Sequence, residues 1–98
     1  MSAPRFDWDS AKARENLRKH GVSFEEAQTV FDDEQALLLD DPDHSVGEQR
    51  YVLLGLSAPL RVLLVVHSYR EDDDVIRIIS ARKATRTERA QYGARWLR

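Results

Sequence analysis

The spacing of apolar and polar positions changes period several times along the chain. "FDWD" puts Phe6 and Trp8 on one side of a short extended segment and predicts a first strand. Asp9 or Ser10 can cap a helix running to His20. Gly21 is a natural stop there, and Arg18, Lys19 and His20 suit the negative end of the helix dipole. Ser23 and Glu26 have capping-box spacing, which predicts a second helix through about Phe31. Phe24, Ala27, Val30 and Phe31 form its apolar stripe. Four apolar runs follow: "ALLLDD", stopped by Pro42, then "QRYVLLGLS", "RVLLVVHSY" and "VIRIISARKA". Short polar turns separate them, so they predict an antiparallel meander. Thr85 and Glu88 repeat the capping-box spacing and predict a last helix from about Arg86 to Trp96. The expected order is β-α-α-β-β-β-β-α. This is an α+β fold, a small antiparallel sheet packed by two N-terminal helices and a C-terminal helix in a single layer.

The strands are apolar on both alternating faces. Val62, Leu64 and Val66 fill one, and Leu63 and Val65 the other. An antiparallel sheet with a solvated face alternates more cleanly. Either a partner chain covers the Leu63–Val65 face, or these strands are simply central. With 98 residues the expectation is a single domain spanning 1–98, without repeat or linker. "YVLLGLSAPLRVLLVVH" is broken by Pro59 and Arg61 and is shorter than the ~20 residues of a membrane span. "MSAPRFDWDS" lacks the apolar segment of a signal peptide, so a soluble, cytoplasmic chain is expected. There is no cysteine, which excludes disulfides and thiolate zinc sites.

Charge sharpens the picture. The net charge is −2, but residues 1–74 carry 8 Lys/Arg against 16 Asp/Glu, while residues 75–98 carry 7 against one, Glu88. A cationic strand–helix unit suits phosphate or an acidic partner; the alternative is that it pairs with the chain's own acidic half.

Of three histidines, His20 is explained by helix capping, His44 lies in the polar loop "DPDHSVGE", and His67 ends an apolar strand. Strand parity puts His67 on the face of Arg61, Leu63 and Val65, and the neighbour expected across the hairpin is Arg77. Glu48 and Arg50 are two apart on a predicted strand and point the same way, as a surface ion pair or an acid–base pair. Arg77 and Arg82 differ in parity, so without a bulge they face opposite sides. Lys83, Arg86 and Arg89 continue the cationic run onto the last helix. Asp72–Asp74 reads as a solvated turn, and no metal or cofactor set stands out. Histidine, glutamate and arginine suffice for RNA cleavage: the 2′-hydroxyl is the nucleophile, and the protein supplies a base, an acid and a cation.

The stretches "FDWDSAKARENLRKHGVSFEEAQTVFDD", "DPDHSVGEQRYVLLGLS", "RVLLVVHSY" and "IRIISARKATRTERAQY" together resemble the BrnT family of bacterial toxins over nearly the whole chain. The resemblance implies a RelE-like fold and a ribonuclease toxin that cleaves RNA. It also implies a cognate antitoxin, BrnA, with a ribbon-helix-helix DNA-binding part; their complex represses its own operon. Carried over by motif are His44, Glu48 and Arg50 in "DHSVGEQR", Arg77, Ser80 and Arg82 in "IRIISAR", and His67 in "VVH". Two turns depart from the family pattern. Leu60 stands where a glycine is expected, and "EDDD" is longer and more acidic than usual.

The expected function is a metal-independent endoribonuclease toxin without cofactor. His44 or His67 would transfer the proton, with Glu48 as the alternative base. Arg77 and Arg82 would stabilise the transition state, and Arg50, Lys83 and Arg86 would bind flanking RNA phosphates. The rival is a non-catalytic RelE-like module that serves as protein partner of a ribbon-helix-helix repressor. Arginines paired with the chain's own carboxylates favour the rival; a histidine beside two arginines in an open groove favours the enzyme.

Overall fold

The computed structural model describes residues 5–40, 49–70 and 74–94. Its elements are β1 (Arg5–Asp7), α1 (Ser10–His20), α2 (Phe24–Thr29) continued by a 3₁₀ turn (Val30–Asp32), β2 (Leu37–Asp40), β3 (Tyr51–Leu56), β4 (Val62–Tyr69), β5 (Val75–Lys83) and α3 (Arg86–Ala94). The order is the one the hydrophobic pattern predicts.

The caps are where the sequence puts them. The Asp9 side chain accepts from Ala11 N–H, and Gly21 ends α1 in the left-handed region at φ 69°. Ser23 Oγ accepts from Glu26 N–H at 3.0 Å. The second half of that capping box is missing, because the Glu26 carboxylate turns to Arg61 and to Ser57 Oγ instead. This stitches α2 to the β3–β4 turn. The Thr85–Glu88 box is complete, with Glu88 N–H donating to Thr85 Oγ1 and Thr85 N–H to Glu88 Oε1.

The five strands form one sheet in the order β1-β5-β4-β3-β2. Strands β2 to β5 are the expected antiparallel meander. The outer strand β1 runs parallel to β5, pairing Phe6 with Ile76. β1 covers only Val75–Arg77 of that edge. Further along, Asn16 of α1 takes over the work of a strand. Its Nδ2 donates to Ala81 O (2.8 Å) and Val22 O (2.9 Å), and its Oδ1 accepts from Ala81 N–H (3.1 Å). One amide thereby satisfies a strand edge and the α1–α2 turn together.

The expectation of an uncovered Leu63–Val65 face is corrected. Leu63 and Val65 are fully buried, in a core with Val22, Phe24, Ala27, Val30, Leu53, Ile78 and Ala81. The helices also do not form a single layer. Tyr92 of α3 packs with Leu54 and Ala84, against Leu37, Leu56, Val62 and Leu64 on the opposite face. The sheet is apolar on both sides because its own helices cover both, α3 over only part of the second. β3 approaches the 3₁₀ turn so closely that a Cβ on Gly55 would lie 2.8 Å from Ala36 Cβ and 2.9 Å from Val30 Cγ1.

Leu60 sits at φ 69° in the β3–β4 turn, the position where glycine was expected, and is 76% exposed. An L-residue there costs ~1–2 kcal/mol, partly offset by the entropy glycine would lose. Leu60→Gly is expected to raise stability by about 0.5–1 kcal/mol. Asn16→Ala, which orphans three backbone groups, is expected to lower it by about 3 kcal/mol. Denaturant midpoints at constant m-value check both.

Candidate functional site

The register of β4 against β5 decides where the arginines go. Leu64 pairs with Arg82 and Val66 with Ser80, but the next pair is His67 with Ile78, followed by Ser68 with Arg77. Ile79 is therefore an extra residue, a β-bulge that resets the alternation. Arg77, Ser80 and Arg82 consequently share the face of Val66 and Leu64, opposite α1 and α2. The parity rule alone had put the two arginines on opposite sides. They stand four rungs apart on β4, about 14 Å, so they suit two separate phosphates of one RNA strand rather than a single phosphate.

Both arginines have carboxylate partners. Arg82 makes a two-pronged pair with Glu88, Nη1 to Oε1 at 2.8 Å and Nη2 to Oε2 at 3.0 Å. These bonds raise the guanidinium further above its usual value. They also pull the Glu88 carboxyl down to about 2, burial opposing and the Thr85 N–H assisting. Glu88 is thus both the cap of α3 and the anchor of Arg82. Arg77 is held more loosely, by a single 3.3 Å bond from Nη1 to Asp7 Oδ1, while Asp7 Oδ2 accepts from Arg70 at 3.3 Å. Among the described residues only one of Arg77's five donors is engaged.

His67 does not neighbour Arg77 as expected. It pairs with Tyr51 and Ile78 on the core face. It is fully buried, edge-on to Phe31 (4.8 Å between ring centres) and Tyr69 (5.3 Å), and close to Tyr51 (6.0 Å). Nδ1 lies 3.3 Å from Val65 O, and Nε2 has no partner among the described residues. Burial pushes the imidazole below its ordinary value, with the Val65 carbonyl opposing. This is an aromatic core position.

Arg50 is partly buried and immediately precedes β3, which begins at Tyr51 rather than at Gln49. Its Nε is buried without a partner among the described residues. Lys83 is exposed at the end of β5, where it pairs with Leu63 and so lies on the α1–α2 side of the strand, opposite Arg82; Arg86 is exposed in the first turn of α3. His44 and Glu48 lie outside the described residues, as does the expected Glu48–Arg50 pairing. Arg61, read from sequence as a break in the apolar tract and as sharing the face of His67, is a structural residue locked to Glu26, with Nη2 also donating to Gly21 O. Asn16, Asp33 and Tyr92 were not singled out; their roles depend on partners 59 and 65 residues away.

A family model described as "Ribonuclease toxin, BrnT, of type II toxin-antitoxin system" matches residues 8–88. The chain belongs to the BrnT family. The backbone agrees: the crystal structure of the Brucella abortus ribonuclease toxin BrnT superposes with a TM-score of 0.65 at 20% identity, covering 86% of this chain and all of that one. At that identity the likeness establishes the fold. No curated protein matches the chain. The BrnT family consists of ribonuclease toxins of type II toxin–antitoxin systems, so RNA as substrate and an antitoxin as partner follow from membership. No helix among the described residues is long and apolar enough to cross a membrane.

Two titrations follow from this geometry. Glu88 has a depressed folded value, so its contribution to stability is fully present above the unfolded carboxyl value of ~4.3. It is lost as pH falls toward about 2. Melting of Glu88→Gln is expected to lack that acid-limb slope, which salt weakens because the pair is partly exposed. His67 acts at higher pH. Unfolded imidazole takes up its proton below ~6.5 while the buried one resists. Its contribution is therefore greatest above that value and declines as pH drops below it. His67→Phe, which fills the aromatic site without a polar nitrogen, should fold and lose this decline in pH-dependent melting.

Proposed function

We propose that this BrnT-family chain is an endoribonuclease that cuts RNA by metal-independent attack of the 2′-hydroxyl on the adjacent phosphate. The observation that carries the reading is the common face of Arg77, Ser80 and Arg82 in a chain of this family. In the proposed reaction a base removes the 2′-hydroxyl proton and the 2′-oxygen bonds to phosphorus. The bond to the 5′-oxygen breaks, and that oxygen receives a proton. The products are a 2′,3′-cyclic phosphate and a 5′-hydroxyl.

Arg77, with most of its donors uncommitted among the described residues, is assigned to the charge developing on the phosphate. Arg82, held rigid by Glu88, is a preset cation on the same face for a separate phosphate. Arg50 and Arg86 extend the track, and Lys83, from the other side of the strand end, is assigned to RNA passing around that end. Proton transfer is assigned to His44 or Glu48, since a buried His67 does not meet RNA. The toxin acts in the cytoplasm and is neutralised by a BrnA-like antitoxin with a ribbon-helix-helix part.

Ion pairing of both arginines and burial of His67 favour a second reading, in which the chain is a non-catalytic partner of a DNA-binding repressor. Incubation with RNA in EDTA separates the two. The nuclease reading expects fragments ending in 2′,3′-cyclic phosphate; cleavage abolished by EDTA and restored by Mg²⁺ overturns the metal-free step. RNA left intact while antitoxin binds supports the second reading. Arg77→Ala is expected to slow cleavage ~10²-fold or more. Lys83→Ala is expected to weaken binding and reduce the salt slope by about one.

A further inference from the structure

β2 is an edge strand of the sheet. It pairs with β3 on one side, and among the described residues nothing pairs with its other side. Its peptide directions can be assigned. Leu56 N–H points away from β4, donating to Asp33 Oδ2 at 2.8 Å, while Ser57 N–H points toward the β4 side, to Arg61 O. By alternation Val52 and Leu54 direct their peptide groups at β2, and their partners Leu39 and Leu37 return the bonds. Leu38 and Asp40 therefore aim N–H and C=O outward.

Natural edges are usually blunted by lysine, proline or a bulge. The strand "LLLD" has none of these, and Leu38 and Leu39 are 55% and 39% exposed, one on each face. The surrounding sequence is charged in one sense only: residues 29–49 contain seven acidic residues and no lysine or arginine.

We propose that β2 is a strand-addition site for an extended segment of the antitoxin, a segment with alternating apolar residues flanked by basic ones. Main-chain bonds to Leu38 and Asp40 provide affinity, Leu38 and Leu39 provide apolar contact, and the acidic flanks select cations. The same charge opposes a second copy of this chain, whose β2 would bring equal negative charge. Four residues span only about 13 Å, so the edge sets register and the antitoxin needs further area elsewhere. The inference rests on the toxin reading for the identity of the partner.

Amide hydrogen exchange of the chain, free and in complex with its antitoxin, tests it. Protection of Leu38 and Asp40 by at least tenfold on binding is the expected result. Leu38→Pro removes an N–H that β3 does not use, so the ladder survives; the variant is expected to lose at least tenfold in antitoxin affinity. Leu38→Lys, which keeps the N–H but repels a basic segment, is expected to do the same should the proline variant not fold. A complex with unchanged exchange at β2 and full affinity in both variants overturns the docking site while leaving the toxin reading intact. Absence of any complex overturns that reading as well. A homodimer abolished by Leu38→Lys means that β2 pairs with a second copy, which overturns the antitoxin as occupant.

Discussion

A single extra residue in β5 sets the chemistry of this sheet. Ile79 interrupts the pairing with β4, so residues on either side of it that strict alternation would separate come to one face. Without the bulge, either Arg77 or Arg82 would turn into the core under α1 and α2, where an unpaired guanidinium is prohibitively costly to desolvate. With it, the core face receives Ile78 and Ala81, both buried, and the other face receives Arg77, Ser80 and Arg82. Core and cationic face are two consequences of one register shift.

The rest of the fold holds that register with few polar groups, each used more than once. Asn16 fastens α1 to β5 at Ala81 and closes the α1–α2 turn at Val22. Glu88 caps α3 and clamps Arg82. Asp33 Oδ2 accepts from Leu56 N–H and from the Tyr92 hydroxyl at 2.6 Å, tying the turn before β2 to β3 and α3. A small domain buries little apolar surface per residue, so sharing of this kind does much to define one arrangement. It also couples site and scaffold: loss of Glu88 frees Arg82 and uncaps a helix together.

What the sequence reveals here is mostly local. The caps at Asp9, Ser23 and Thr85 and the stop at Gly21 were readable because their partners lie within a few residues, whereas Leu60 stood out only against the family pattern. Features that need a distant partner were not. Nothing in "IRIISAR" marks Ile79 as the bulge until β4 is laid beside it. The capping-box reading of Glu26 failed in its second half because Arg61, 35 residues on, is a stronger partner. Leu63 and Val65 look like Val62 and Leu64 in sequence; only the position of α1 and α2 makes them core. Of the candidate site, the arginine stretch was legible and its shared face was not. His67 looked chemical in sequence and proves to be packed among aromatic rings. His44 and Glu48 rest on the family motif alone.

The central claim is that RNA lies along the face made by the β5 bulge. It is tested most directly by amide and guanidinium NMR shifts of the chain on titration with a 2′-O-methylated oligoribonucleotide, which keeps the phosphates but removes the nucleophile. The account predicts shifts at Arg77, Ser80 and Arg82, and none on the exposed surface of α1. Shifts confined to α1 and α2, with the guanidiniums of Arg77 and Arg82 unchanged, would contradict it.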